Sequence, residues 1–553
     1  MPPERTAELR SAADSLNRKD TIVQLLPSMR NKPLILVSLL LAAFAINLDT
    51  TIVNVALPTL VRQLHASNSQ LQWVVDAYNL VFAALLLASG SLSDRLGRKG
   101  MLFAGLAIVG AASLAGGFAT SAGGLIAARC LMGLGAAAVF PATLSLISNV
   151  FVARKERTLA IGLWGATAGM AIALGPIVGG WLLERFSWSS IFFVMAPVAA
   201  VAIALVASTV PTSRDPDKRR IDLAGFALSS AAMALLIFTV IEAPNHGWAS
   251  TRTLAGFALA SLLGVAFARW EQRVQAPMLD ISLFRNLRFT AASSAVTISF
   301  FTLLGFIFLI TQYFQFFKGY SPLSAGVHLL PVAASVGVAS VLGTKLAVRY
   351  GTKLVVTTGL VAMAAFYGWA STTTVATSYR TIALQMVIYG VGMGLTSAPA
   401  TEAIMGVVPK AKAGVGSAVN DATRLLGGTL GVAIIGSVYA SLYSSRLSAQ
   451  LPHGLPASLA HTAHRSAGAA LTLANTLGAT GHPGMAQAVH EATANAFIHG
   501  LSIGCLVAGG VAAGGALLAA LLLPAHPGKE QAHAETKTLA PVATAATGSS
   551  QSN

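Results

Sequence analysis

Leu48-Asp49-Thr50-Thr51-Ile52-Val53-Asn54-Val55-Ala56-Leu57-Pro58 places a carboxylate inside the first long apolar stretch of the chain. Gly90-Ser91-Leu92-Ser93-Asp94-Arg95-Leu96-Gly97-Arg98-Lys99 then makes a short charged turn between the second and third such stretches. Holding a charge at bilayer depth costs several kcal/mol, so an ionisable residue kept there is expected to have a use. Asp49 therefore makes ion-coupled transport the first hypothesis for this sequence.

Fourteen apolar runs long enough to cross a bilayer fall near residues 34–57, 71–91, 101–120, 123–147, 158–182, 190–210, 222–242, 253–269, 289–312, 323–346, 354–371, 381–407, 415–440 and 497–523. The expected fold class is an all-α membrane protein. Of 553 residues 54% are hydrophobic and only 10% charged, whereas soluble domains carry about a quarter charged residues. The net charge of +16 follows topology. With the N-terminus cytoplasmic, the loops and tails on that side hold 27 Lys and Arg, the opposite loops 7 and the spans 2. That asymmetry predicts both termini in the cytoplasm, and the basic balance implies no nucleic-acid partner. A polar, charged segment precedes the first run, and further spans follow it, so that run is expected to remain a helix and not a cleaved signal.

The chain repeats itself. A shift of 254 residues carries Leu34, at the start of span one, onto Arg288, at the start of span nine. The charged turn lands on Thr344-Lys345-Leu346-Ala347-Val348-Arg349-Tyr350-Gly351-Thr352-Lys353. Leu92, Arg95, Gly97 and Lys99 recur as Leu346, Arg349, Gly351 and Lys353, while Asp94 becomes Val348. The expected organisation is a tail over 1–33, a six-helix half over 34–210, an inserted helix pair over 211–287, a second half over 288–523 and a disordered tail over 524–553. Two parallel halves with a site between them near the midplane are a known transporter plan. The second half includes a long external loop, 441–496, rich in Ser, Ala, Gly and His. Its His453, His461, His464, His482 and His490 are irregularly spaced with no cysteine nearby, so no metal site is expected. Cys130 and Cys505 both fall in spans and read as packing residues.

The chain resembles the major facilitator superfamily, in its fourteen-span drug:proton antiporter branch, over roughly residues 34–523. Beyond the two stretches quoted first, the resemblance rests on Leu125 to Gly135 around Arg129, on Gly165-Ala166-Thr167-Ala168-Gly169 with Gly175-Pro176-Ile177-Val178-Gly179-Gly180, on Arg285-Asn286, on Gly319-Tyr320-Ser321-Pro322 and on Arg424-Leu425-Leu426-Gly427-Gly428. Trp188-Ser189-Ser190 departs from a pattern that commonly reads Trp-Arg-Trp, which puts an external Arg contact in doubt. The resemblance implies a proton-coupled exporter of lipophilic, often cationic compounds in a bacterial plasma membrane, working as a monomer without a cofactor. No nucleotide-binding Gly-x-x-x-x-Gly-Lys-Ser/Thr signature is present to suggest ATP as the energy source.

Candidate roles follow for individual residues. Asp49 is expected to take a proton from outside and release it inside, with Arg129 and Asp421 as further coupling groups. Asp76, Tyr78 and Glu402 are candidate substrate contacts; in the family an acid at the position of Asp76 favours cationic drugs. Gly90, Asp94, Arg95, Gly97 and Arg98 resemble a conformational latch, in which Asp94 pairs with Arg98 or faces a helix N-terminus. Gly165 and Gly169 lie four apart on one helix face and are expected to admit another backbone closely, with Gly175 and Gly179 continuing the small-residue motif. Pro176 removes a backbone donor and is expected to bend the fifth span, which in the family is thought to limit leak. Asp421 and Arg424, three apart, read either as a local ion pair or as part of a second proton or drug site. A narrow exporter of one metabolite, lipid or antibiotic would share all these motifs. A sensor or scaffold would have little reason to keep Asp49 and Arg129, and no nucleophile–base pair suggests an enzyme.

Overall fold

The computed structural model describes residues 31–64, 68–213, 222–274, 277–409, 412–452, 455–465 and 467–525. Among them the regular structure is entirely helical, as lipid demands of any segment without a closed barrel to satisfy its backbone groups. The stretch expected to form the first half, 34–210, contains α1 (Lys32–Leu64), α2 (Asn68–Leu96), α3 (Arg98–Gly117), α4 (Ala122–Val150), α5 (Arg154–Arg185), the short α6 (Ser190–Phe193) and α7 (Met195–Thr209). The expected inserted pair falls on α8 (Leu223–His246) and α9 (Thr251–Glu271). The remainder comprises α10 (Leu287–Phe316), α11 (Pro322–His328), α12 (Leu330–Tyr350), α13 (Thr352–Ala370), α14 (Tyr379–Val407), α15 (Ala413–Gln450), α16 (Ala457–Arg465), α17 (Ala467–Ala479) and α18 (Pro483–Leu522).

Among the described residues, thirteen helices are long and apolar enough to cross a membrane. The expected fifth span falls on α5, which is 32 residues long but is not among those thirteen. Short polar side chains start several helices by accepting from the first free backbone N–H groups. Ser121 accepts from Gly124, Asp222 from Gly225, Ser250 from Thr253 and Ser378 from Thr381.

The internal repeat reappears in the packing. In the first region α3 packs on α4, α2 on α4, α1 on α5 and α3 on α7. The counterparts α13 on α14, α12 on α14, α10 on α15 and α13 on α18 do the same. Buried apolar side chains fall into two large clusters. One is drawn from residues 35–210 with only Met405, Ala413 and Ala422 added, the other from 267–523. Two seams join them: α5 lies along α12, and α2 along α15. The inserted pair leans on the second seam through α8, where Trp73 stacks on Phe238 at 6.1 Å.

The turn itself is duplicated in conformation. Gly97 and Gly351 both start a helix with positive φ, 118° and 92°, a region that glycine enters without a Cβ penalty. After Gly97, the Arg98 N–H donates to Ser213 O at 2.9 Å; after Gly351, the Thr352 N–H donates to Ala525 O at 2.8 Å. Each turn is thus tied to the chain leaving the last span of its own repeat.

The expected external loop is smaller than its sequence suggests. Helix α15 runs on to Gln450 and α18 already begins at Pro483, so both outgrow the spans expected at 415–440 and 497–523. Helices α16 and α17 cover the gap, with Tyr443 donating to Ala463 O at 3.2 Å. His464 contacts Ser444 and Ser448 through its two ring nitrogens at 3.2 and 3.3 Å. His453 lies outside the described residues, as do residues 1–30 of the N-terminal tail and 526–553 of the C-terminal tail.

Candidate functional site

Asp49 sits midway along α1 and is 1% exposed; Arg129, on α4, is fully buried. The Arg129 Nη1 donates to Asp49 Oδ2 at 2.7 Å, and its Nε donates to Val74 O at 2.9 Å. Its guanidinium also lies 4.3 Å over the Tyr78 ring, whose hydroxyl donates to Ile46 O at 3.3 Å. Three helices thereby hold one ion pair, yet Asp49 Oδ1 and Arg129 Nη2 have no hydrogen-bond partner. Breaking such a pair leaves a buried charge, a loss of about 3–5 kcal/mol. Tyr78 lies beneath this pair, fully buried. Asp76 is half-buried on the same helix, one turn from Trp73.

The charged turn makes a contact across the molecule. Arg98 donates through Nε to Asp94 Oδ1 at 2.8 Å and through Nη1 to Ser213 Oγ at 2.7 Å. Asp94 Oδ1 also accepts from Gly414 N at 2.9 Å, and Oδ2 from Val415 N at 3.2 Å. Those are free N–H groups of the first turn of α15, where a carboxylate is favoured by both unpaired donors and the helix dipole. Gly90, one turn earlier, lies against the backbone of Gly414; a Cβ on it would fall 2.6 Å from that of Ala418. Arg95 is half-buried in the last turn of α2.

Three candidates lie on or near the seams. Arg424, on α15, lies 4.5 Å over the Trp164 ring of α5 and 4.9 Å over the Phe300 ring of α10. It donates to Thr401 Oγ1 at 3.0 Å, while its buried Nε has no partner. Asp421 and Arg424, offered by the sequence as a local ion pair, make no direct salt bridge, although each still feels the other's charge. Asp421 instead accepts from Asn420 Nδ2 at 3.0 Å and Ser417 Oγ at 3.4 Å, because the long guanidinium stem reaches a neighbouring helix. Glu402 lies between two arginines, 3.5 Å from Arg154 Nε of α5 and 3.7 Å from Arg288 Nη2 of α10. It joins the two regions at the end that carries the charged turn.

The chain matches the Major Facilitator Superfamily over residues 39–432. It belongs to that superfamily. The multidrug efflux pump LfrA of Mycolicibacterium smegmatis is 37% identical over 401 residues, 72% of this chain and 79% of that protein. The methyl viologen resistance protein SmvA of Salmonella typhimurium is 35% identical over 480 residues, 86% of this chain and 95% of that protein. The crystal structure of the human organic anion transporter MFSD10 (TETRAN) superposes with a TM-score of 0.53 at 14% identity, covering 88% of this chain and 99% of that one, a likeness of fold. Membership makes the protein a multi-pass membrane transporter and not an enzyme.

Within this superfamily member the fifth-span glycines divide their work. Gly165 faces the other region, but its nearest neighbour, Ala398, would lie 3.5 Å from an added Cβ, an ordinary contact. The close approach expected there is made one turn earlier by Gly162, where a Cβ would meet Thr344 Oγ1 at 2.8 Å. Gly175 packs directly on Thr51, two residues from Asp49, and Thr51 Oγ1 donates to Ala171 O at 3.2 Å. Gly179 is buried; the surroundings of Gly169 and Pro176 lie outside the described residues. Sequence reasoning missed Trp164 and Phe300. An aromatic residue in an apolar span looks like packing until the cation of another helix is seen above it.

Proposed function

We propose that this transporter is a proton-coupled exporter of lipophilic, often cationic compounds from the bacterial cytoplasm, working as a monomer. Two six-helix halves, 34–210 and 288–523, rock about the seams, with 211–287 as an inserted pair, fourteen spans in all and both termini in the cytoplasm. The observation that carries the reading is the buried Asp49–Arg129 pair with its unsatisfied oxygen and nitrogen. A proton entering at Asp49 releases Arg129, and the drug-bound form favours the opposite protonation, so each ligand selects the conformation that discharges the other. The efflux pump and viologen resistance relatives support export. The latch of Asp94 on α15 supports switching at the cytoplasmic rim, and Asp76, Tyr78, Glu402 and Asp421 remain the candidate drug and proton contacts.

The test is drug-driven proton movement in sealed vesicles containing the wild-type protein or Asp49→Asn, with a panel of cationic, neutral and anionic compounds. The expected result is counterflow of protons with cations in the wild type alone. Export of one compound only would replace the multidrug reading with a narrow exporter. Export without proton movement would remove the coupling.

A further inference from the structure

Two acids from the two ends of one helical hairpin meet over a glycine. Asp222 stands at the start of α8 and Glu271 at the end of α9. A Cβ built on Gly225, in the first turn of α8, would lie 2.5 Å from both Asp222 Oδ2 and Glu271 Oε1. The two carboxylates thus share the space above that glycine, within hydrogen-bonding reach of each other. The Asp222 carboxylate accepts from Gly225 N at 2.8 Å and from Trp270 Nε1 at 2.9 and 3.1 Å. Glu271 Oε2 accepts from Leu279 N at 3.0 Å. Glu271 Oε1 is left over: it is buried without a hydrogen-bond partner among the described residues, in a residue only 3% exposed.

Among the described residues, the charge that acts on Glu271 is that of Asp222. Neither Arg95 of α2 nor Lys412 before α15 is among the charges it feels, and Arg269 and Arg273 on its own helix are exposed. Asp280, beyond the linker, is engaged with Ser282. Lys218, Arg219 and Arg220, just before Asp222, lie outside the described residues. Two carboxylates that share a site cannot both stay charged without a large cost, and burial raises it. One proton on Glu271 Oε1, donated to Asp222 Oδ2, removes a charge and satisfies the open oxygen at once, as in other carboxyl pairs that hold a single proton.

We propose that Asp222 and Glu271 form a proton-binding site apart from Asp49, and that the proton they share clasps the open ends of the α8–α9 hairpin. The inference does not depend on the export reading. Glu271 also holds Leu279, which with Met278 belongs to the apolar cluster drawn from 267–523. On the other side, Ser213 bonds Arg98 of the charged turn, and the few residues from Ser213 to Asp222 are too short to cross a bilayer. The clasp therefore lies at the end that carries the charged turn, where the inserted pair joins the second repeat. Without the proton, two facing carboxylates repel and the joint loosens. The folded protein keeps a proton that separated acids in the unfolded chain release near about pH 4. Stability is therefore lost as pH rises through the range in which the pair gives its proton up.

The experiment is thermal unfolding of the purified full-length protein in lipid nanodiscs from about pH 6 to about pH 9, the range into which buried carboxyl groups can be moved. Wild type is compared with Glu271→Gln and Asp222→Asn. Each amide keeps a carbonyl oxygen for the backbone N–H now bonded there and puts an N–H donor where the shared proton sits, so both variants carry the clasp at every pH. The wild type is expected to melt at least about 2 °C below both variants at about pH 9, with no such gap at about pH 6. Hydrogen exchange at Met278 and Leu279, corrected for the intrinsic rate at each pH, is expected to quicken about tenfold in the wild type over that range and less than about twofold in the variants. Two ordinary charged caps predict the opposite sign, because an amide is the weaker acceptor and would destabilise the protein at every pH. That result overturns the proposal, as does a gap that does not change with pH. Stabilisation of the wild type by added Mg²⁺ at about pH 9, abolished by either amide, would put a metal ion between the acids and overturn it too. If one variant fails to fold, the other carries the comparison. All these outcomes are read without substrate, so none of them bears on export.

Discussion

Arg129 spans from α4 to α1 to give Asp49 one hydrogen bond at 2.7 Å and leaves the second oxygen of that carboxylate unsatisfied. A pair sealed on both oxygens would be a structural bolt; a pair open on one can accept a proton there without first breaking. Asp49→Asn is nearly isosteric and keeps a carbonyl oxygen for Arg129, so folding and insertion are expected to survive. Drug-driven proton release from vesicles is expected to fall at least about a hundredfold, the scale on which a lost proton-transfer group is felt. Coupled efflux at the wild-type rate would contradict the assignment.

For Asp94 the expectation is uniform slowing. Its carboxylate caps the first turn of α15 near the end of α2, and Asp94→Asn loses the charge and part of the cap. About 1 kcal/mol is at stake in such a cap, which corresponds to roughly a fivefold change in the balance between conformations. Efflux rates for three unrelated substrates should drop by similar factors. Loss of one substrate with the others spared would place Asp94 in the binding site instead.

Asp76 is expected to matter according to substrate charge. Attraction to a carboxylate grows with ligand charge and with a low local dielectric, so Asp76→Asn should reduce efflux of a divalent cation most, a monovalent cation less and a neutral drug least. An equal loss for all three moves Asp76 into the proton pathway. No loss at all leaves it a structural residue of the α2 surface.

The two glycines of the fifth span should respond in opposite ways. Gly165→Ala adds a methyl group into ordinary contact distance and is expected to be tolerated, within about 1 kcal/mol. Gly175→Ala drives a methyl into Thr51 and is expected to lower the melting temperature and impair transport, through its neighbourhood with Asp49. Equal tolerance at both positions, in melting curves and in efflux, would show that the α5–α1 contact yields.

Much of this architecture is legible in the sequence because a membrane span must be a long apolar run, and the repeat survives as Gly97 and Gly351. The Asp49–Arg129 pairing is half legible: two ionisable residues stand out in apolar spans, but that they meet depends on how α1 crosses α4. For Asp421 and Arg424, three-residue spacing puts side chains on one face without deciding where a six-atom stem will reach, and the guanidinium hydrogen-bonds Thr401 of another helix. Gly162 went unnoticed beside the more conspicuous Gly165, since only the position of Ser340 and Thr344 on α12 reveals which glycine is pressed. The extensions of α15 and α18 were hidden for a different reason. Their Ala, Ser and Thr-rich ends carry neither an apolar run nor a strong amphipathic stripe, and tertiary packing of α16 and α17 holds them helical.

Val348 stands where the first repeat has Asp94, and this single replacement makes the duplicated molecule lopsided. The α2–α15 seam is fastened by a carboxylate on a helix terminus, a directional bond that lets go over a fraction of an ångström. Across the pseudo-twofold, the α5–α12 seam is a fit of small residues, with Gly162 against Ser340 and Thr344, Gly165 near Ser340 and Ala166 near Gly337, a short-range contact that yields gradually as surfaces slide. If the halves rock as proposed, the sliding seam is expected to loosen first and the fastened seam to set the threshold for release.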